Sequence, residues 1–204
     1  MTPASIAPTR SVLLALHYQN EVLHPGGKIR IGVAETSPER AGIVAAAGRL
    51  LAGARAAGVP VISVRIAFGE GHREVMQNAE IWRRVVASQA MAEGSWGAEF
   101  HAGLGPLPGE FVVTHQRNNA FHGSPLADIV ALFRPERLVV AGISTTYVVE
   151  STVRHASDLG YRVVVAADAC SSASPAMHQA SLDAMALIAE ISTVDAVLAE
   201  FAAA

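Results

Sequence analysis

The chain has 204 residues, 51% hydrophobic and 16% charged, with a formal net charge of −3 and a mean hydropathy of +0.33. That length and apolar content suit one α/β core that needs no staples, and they exclude intrinsic disorder. Its apolar runs fall far short of the ~20 residues that span a bilayer, and its scattered basic residues form no stripe for nucleic acid, so the expected partner is a small molecule or another protein, with no nucleic acid and no membrane.

Met1 to Arg10 carries Pro3 and Pro8 and lacks the basic-then-apolar pattern of a signal peptide. The single cysteine, Cys170, can form no internal disulfide, so a reducing cytoplasm is the expected compartment. Ser11 to Leu16 (SVLLAL) reads as a strand buried on both faces. It breaks into the polar cluster His17-Tyr18-Gln19-Asn20-Glu21, followed by the turn His24-Pro25-Gly26-Gly27. From Ser37 or Pro38 to Ala57, the residues Ile43, Val44, Ala47, Leu50, Leu51 and Ala54 recur at helical spacing, and Gly58 is the stop.

Val59 to Phe68 is a second strand, rich in β-branched residues. An amphipathic segment covers Ile81 to Met91, and a Gly/Pro-punctuated loop from Glu93 to Gly109 is expected over the edge of the sheet, a kind of loop that often carries function. Glu110 to Thr114 is a third strand that ends at His115; Ser124-Pro125 opens a helix through Phe133; Arg137 to Ala141 is a fourth strand stopping at Gly142. Thr146 to Leu159 reads as a helix with Val149, Thr152, Val153 and Ala156 on one face, ended by Gly160. Tyr161 to Ala167 is a fifth strand, Ala176 to Ile188 a helix, Ile191 to Val194 a sixth strand, and a final helix runs to Phe201. No repeat or linker divides residues 1–204, so a single domain is expected.

Strands alternating with helices predict a three-layer, Rossmann-like α/β fold with a mainly parallel six-stranded sheet and helices on both faces. Ligands in such sheets bind at the carboxyl ends of strands, where the strand order reverses. That rule selects His17 after the first strand, His115 after the third, and Ser144 to Val148 after the fourth. An imidazole can serve as acid, base or metal ligand, although a lone His is more often a structural hydrogen-bonding residue. Ser144, Thr145 and Thr146 either cap the following helix or present it to a ligand oxygen. Gly-x-Ser-x-Gly, Walker and Gly-x-Gly-x-x-Gly motifs are absent from the sequence. Cys170 reads as a small buried hydrophobe, Asp168 as a loop-structuring acid, Met76, Trp82 and Met91 as packing residues, and Trp96 as a pocket wall.

Four stretches together resemble a known family. LLALHYQNEVLHPGG is similar to an apolar strand followed by Asp-Met-Gln-Asn-Asp and a Pro-Gly-Gly turn; GSWGAEFHAGLGPLPGEFVVTHQRNNAFHGSPL to a loop, a strand, a catalytic Lys and Ser-Ala-Phe; GISTTYVVEST to Gly-Val-x-Thr-x-x-Cys-Val-x-x-Thr; and GYRVVVAADACSS completes the pattern. These are features of the isochorismatase-like cysteine hydrolases. Carried over by position, the family's Asp, Lys and Cys triad falls on His17, His115 and Val148, and a valine closes the covalent route.

What the resemblance leaves open is vinyl-ether-type hydrolysis or related proton transfer on a small cyclic or carboxylated metabolite, since that branch depends on the Asp as proton donor and not on the cysteine. A protonated His17 would donate, His115 would orient or accept, and backbone N–H groups from Thr146 to Val148 would hold an oxygen. Gln19, Trp96, Arg117, Asn119, Ser144, Thr145, Tyr147 and Val148 are the expected substrate contacts. Two alternatives stand beside this: an inactive small-molecule-binding or regulatory protein, and a metal-dependent enzyme using the His pair with Glu21 or a substrate carboxylate. Metal-binding relatives carry an Asp-x-His site after the second strand, whereas Arg65 to His72 here lacks the acid. No metal or other cofactor is therefore expected, and the resemblance implies a homo-oligomer.

Overall fold

The chain is described by a computed structural model covering residue 6 and residues 9–31 and 39–203; the helix start placed at Ser37 or Pro38 lies outside them. Strand β1 (Ser11–Leu16) has all six residues buried, as has β4 (Arg137–Gly142). They pair with each other in parallel, and β2 (Val61–Ile66), β3 (Phe111–His115), β5 (Arg162–Ala166) and β6 (Glu190–Ser192) complete a sheet of order β3-β2-β1-β4-β5-β6. All five pairings are parallel, so the sheet is wholly rather than mainly so.

This order reverses between β1 and β4: β1 to β3 run outward to one edge, the chain crosses back, and β4 to β6 run outward to the other. Right-handed crossovers then place the helices of the two halves on opposite faces. Helix α2 (Arg40–Ala56) packs on α7 (Val194–Ala202), while α5 (Glu150–Asp158) packs on α6 (Pro175–Met185). The remaining helices are α1 (Asn20–Leu23), α3 (Glu80–Ser88) and α4 (Leu126–Phe133). Among the described residues no helix is long and apolar enough to cross a membrane.

Several boundaries differ from the expectation for local reasons. The helix predicted from Thr146 begins as a wide turn, Thr145–Val149, in which the Val149 N–H donates to the Ser144 carbonyl, and regular α geometry starts at Glu150. The sixth strand stops at Ser192 because the Thr193 side chain caps α7, accepting from the Ala196 N–H. Loop 93–109 does not cover the sheet edge. It lies across the exit of β1, where the Asn20 N–H donates to the Glu99 carbonyl and the His101 N–H to that of Tyr18. Gly142 allows β4 to run close beside β1 at the reversal, since a Cβ there would stand 2.3 Å from the Leu16 carbonyl oxygen.

Candidate functional site

His17 leaves β1 with a left-handed backbone, φ 54°, and its N–H donates to the Val64 carbonyl at 2.9 Å. Positive φ in a residue other than glycine is uncommon and gathers at functional sites. His115 ends β3, in register with Ile66 of β2. Strand β2 therefore lies between the two histidines, and both imidazoles reach over its carboxyl end. Their Nε2 atoms meet at 2.6 Å with ring centroids 4.8 Å apart.

Burial decides the charge of this pair. His17 and His115 are 7% and 2% exposed. Removal from water lowers the His17 pKa well below its ordinary value of 6.5, and the neighbouring His115 lowers it further. Burial likewise lowers His115 to about 4, with the Asn119 backbone partly opposing and His122 reinforcing the shift. Both rings are thus neutral at pH 7, one Nε2–H donating to the other Nε2. The resting, protonated His17 expected from the resemblance is disfavoured by burial, and among the described residues no carboxylate is hydrogen-bonded to either ring to hold a buried imidazolium.

A narrow pocket with a cavity volume of about 40 Å³ opens on the His17 side. Its walls are mostly apolar, with Val22, Ile66, Phe68, Trp82, Val85 and Met91 among them, and its polar lining comes from His17, Arg117, Asn118, Ser144 and Tyr147. Val148 closes part of the wall and is 1% exposed. The Ser144 hydroxyl is buried without a hydrogen-bond partner among the described residues, and the peptide bond preceding it, Ile143–Ser144, is cis. The Arg117 guanidinium stacks over Trp82, 5.2 Å from the ring centroid, and makes only long contacts of 3.4 Å to the Met76 carbonyl and Asn78 Oδ1. Among the described residues no carboxylate pairs with it.

The structure brings His17, His115, Arg117, Ser144, Tyr147 and Val148 together and leaves four expected contacts outside. The Gln19 amide is committed to backbone, donating to the Ile66 and Ala98 carbonyls at 2.9 and 2.7 Å and accepting from the Ile66 N–H at 2.9 Å. Trp96 stands edge-on to His24 and is 48% exposed. Asn119 pairs with His155 Nδ1 and accepts from the Phe121 N–H, while its neighbour Asn118 lines the pocket. Thr145 bonds His178 Nδ1 at 2.8 Å. The Thr146 N–H is also occupied, by Ser172 Oγ at 3.2 Å, whereas the Tyr147 N–H has no acceptor among the described residues.

Trp82, expected only to pack, is the aromatic wall. Its side chain shares the buried face of α3 with Val85, a periodicity visible in the sequence, but nothing there shows that this face borders a cavity. Glu21 is unsuited to be a third metal ligand. Its carboxylate accepts from the Lys28 and Met91 N–H groups at 2.8 and 3.5 Å, and a Cβ at Gly97 would fall 1.6 Å from its Oε2. His72 is buried against the Ala90 carbonyl at 2.6 Å. Among the described residues no three His, Cys, Asp or Glu side chains converge as a metal site would require. Cys170 is buried and its thiol is pushed up to about 12 by burial, which keeps it protonated and unreactive.

Comparison with known proteins agrees with this architecture. Ureidoacrylate amidohydrolase RutB of Methylobacterium radiotolerans is 31% identical over 196 residues, covering 88% of this chain and 74% of that protein. The isochorismatase family protein YecD of Escherichia coli O157:H7, itself uncharacterized, is 31% identical over 157 residues, covering 76% and 81%. Among solved structures, a cysteine hydrolase from Pseudomonas syringae pv. phaseolicola superposes with a TM-score of 0.84 at 22% identity, covering 100% of this chain and 99% of that one, a likeness of fold. An isochorismatase family protein from Desulfovibrio vulgaris gives 0.82 at 26% identity, covering 95% and 98%. With the isochorismatase domain matched over residues 11–196 on top of this sheet order and site placement, the chain belongs to the isochorismatase family.

Proposed function

We propose that this protein is an acid–base enzyme of the isochorismatase fold that uses the His17/His115 pair in place of a cysteine nucleophile. The observation that carries the reading is the 2.6 Å Nε2–Nε2 contact, with His17 on the wall of a mostly apolar pocket. A buried neutral imidazole that already holds a hydrogen bond is oriented to accept one proton and return it. Its first act is therefore acceptance, from a water or an acidic C–H of the substrate, and the same proton is then delivered to the atom that needs it. Arg117 beside an apolar wall suits a small carboxylate with a hydrophobic body, the guanidinium taking the carboxylate and Trp82 the body. Val148 offers no atom for a covalent intermediate. The amide hydrolysis named for the ureidoacrylate relatives would then have to proceed here by activated water alone.

The test is turnover of a panel of carboxylated enol ethers, lactones and amides, with deuterium exchange from heavy water followed in parallel. Wild-type turnover abolished by His17→Ala and by His115→Ala, with the fold intact, supports the enzyme. Full activity in both variants overturns it, and saturable binding without any turnover identifies a binding protein instead.

A further inference from the structure

Ser144, Thr145 and Thr146 are the natural caps of the wide turn that leads into α5, and none of them caps it. Ser144 stands at the N-cap position without a side-chain cap bond. The Thr145 hydroxyl bonds Nδ1 of His178, in the first turn of α6, at 2.8 Å, and the Thr146 hydroxyl bonds Ser172 Oγ at 2.6 Å. The first two N–H groups of the turn are spent on the same neighbouring segment, that of Thr145 on the Ser171 carbonyl at 2.8 Å and that of Thr146 on Ser172 Oγ at 3.2 Å. The third, that of Tyr147, has no acceptor among the described residues, and Tyr147 lines the substrate pocket. Ser144, which is 1% exposed and lines the same pocket, has its hydroxyl unpartnered as well. Two polar groups left over at one cavity wall call for an explanation.

A threonine hydroxyl readily accepts from the N–H two residues further along the chain, and for Thr145 that is the N–H of Tyr147. We infer that His178 is a positioning residue of the site: it holds the Thr145 hydroxyl toward α6 and thereby keeps the Tyr147 N–H open to a carbonyl or carboxylate oxygen of the ligand. Thr145 is wholly buried, so water does not compete for its hydroxyl, and the choice lies between its own turn and His178. The imidazole is presented from a fixed element, since the start of α6 is capped by Ser174, whose hydroxyl accepts from the Met177 N–H at 3.3 Å. His178 does not line the substrate pocket; it borders a separate cleft with Ser171 and Ser172. It therefore acts only through Thr145.

This role rests on reading the pocket as the substrate site, but its test needs no turnover. In the full-length protein labelled with nitrogen-15 and free of ligand, the Tyr147 amide is expected to exchange with water severalfold more slowly in His178→Leu than in wild type, because the released Thr145 hydroxyl accepts from it. Benzoate, measured by calorimetry, should bind about 10-fold more weakly to that variant, the worth of one hydrogen bond to a charged group. His178→Asn, whose amide stands where Nδ1 stood and keeps the bond to Thr145, should match wild type in both measurements. Thr145→Val removes the hydroxyl itself, so adding His178→Leu in that background should change neither exchange nor affinity. Should His178→Leu fail to fold, Thr145→Val alone carries the test, since its Tyr147 amide must exchange as fast as in wild type. An unchanged Tyr147 amide in His178→Leu, or a slowing that persists without the Thr145 hydroxyl, overturns the positioning role even if the protein turns substrate over. The expected coupling with no turnover on the substrate panel overturns the enzyme and leaves His178 in its role.

Discussion

Replacing His115 by glutamine should flatten the acid limb of the stability curve by a predictable amount. In the folded chain burial holds His115 near pKa 4, against an ordinary value of 6.5. At any pH between these, the unfolded chain binds a proton that the native state refuses. Stability is therefore fully present above about pH 6.5, falls as the pH drops, and levels off below about pH 4. At 1.36 kcal/mol per unit, the whole window is worth about 3 kcal/mol, a sizeable share of the ~5–15 kcal/mol that holds a typical protein together. Urea unfolding of wild type and His115→Gln at a series of pH values would measure it. Contributions from the carboxylates are shared by both proteins, and since His115 also depresses His17, the difference in slope reports His115 together with its effect on His17. With a urea dependence of about 2–3 kcal/mol per molar for a chain of this size, the two midpoints should converge by about 1 M between pH 6.5 and 4. Identical pH dependence in the two proteins would refute the claim that the pair is neutral and buried.

Two further outcomes follow from the site. Val148→Cys should fold normally, because a thiol fits the space of two methyl groups, yet release no ammonia from amide substrates, since two weakly basic neutral histidines do not reproduce a charged Asp/Lys environment; ammonia release above background would show that the nucleophile alone was missing. Arg117→Met should weaken binding of small aromatic carboxylates by about 10- to 100-fold, the worth of a charge-assisted hydrogen bond of ~1.5–3 kcal/mol, while leaving their neutral amide analogues unaffected, as measured by calorimetry. Equal losses for both ligand types would assign Arg117 to packing against Trp82.

Much of the fold was legible because its determinants are local. The uninterrupted apolar runs of β1 and β4 mark strands covered on both faces, and Gly58 and Gly160 adopt positive φ where their helices end, as expected of helix-stopping glycines. What was misread depended on neighbours distant in sequence. Gln19 has the look of a pocket residue beside His17, but its amide is held by backbone of Ile66 and Ala98. Trp96 and Trp82 exchanged roles, because only the packing of α3 and of the 93–109 loop decides which indole borders the cavity. The wide turn at Thr145 was invisible for the same reason: its Thr145 N–H is tied to the Ser171 carbonyl, twenty-six residues along the chain.

From the residues alone came the alternation of strands and helices, the placement of two histidines and a cysteine-free turn at strand ends, and through the family resemblance the exclusion of a covalent mechanism at Val148. Those depend on side-chain chemistry and short-range periodicity, which the linear order carries. The contact between His17 and His115, ninety-eight positions apart, and their uncharged state were decided only by the tertiary structure. A histidine's charge is set by its distance from water and from other charges, and neither exists until the strands carrying the two rings are laid on either side of β2.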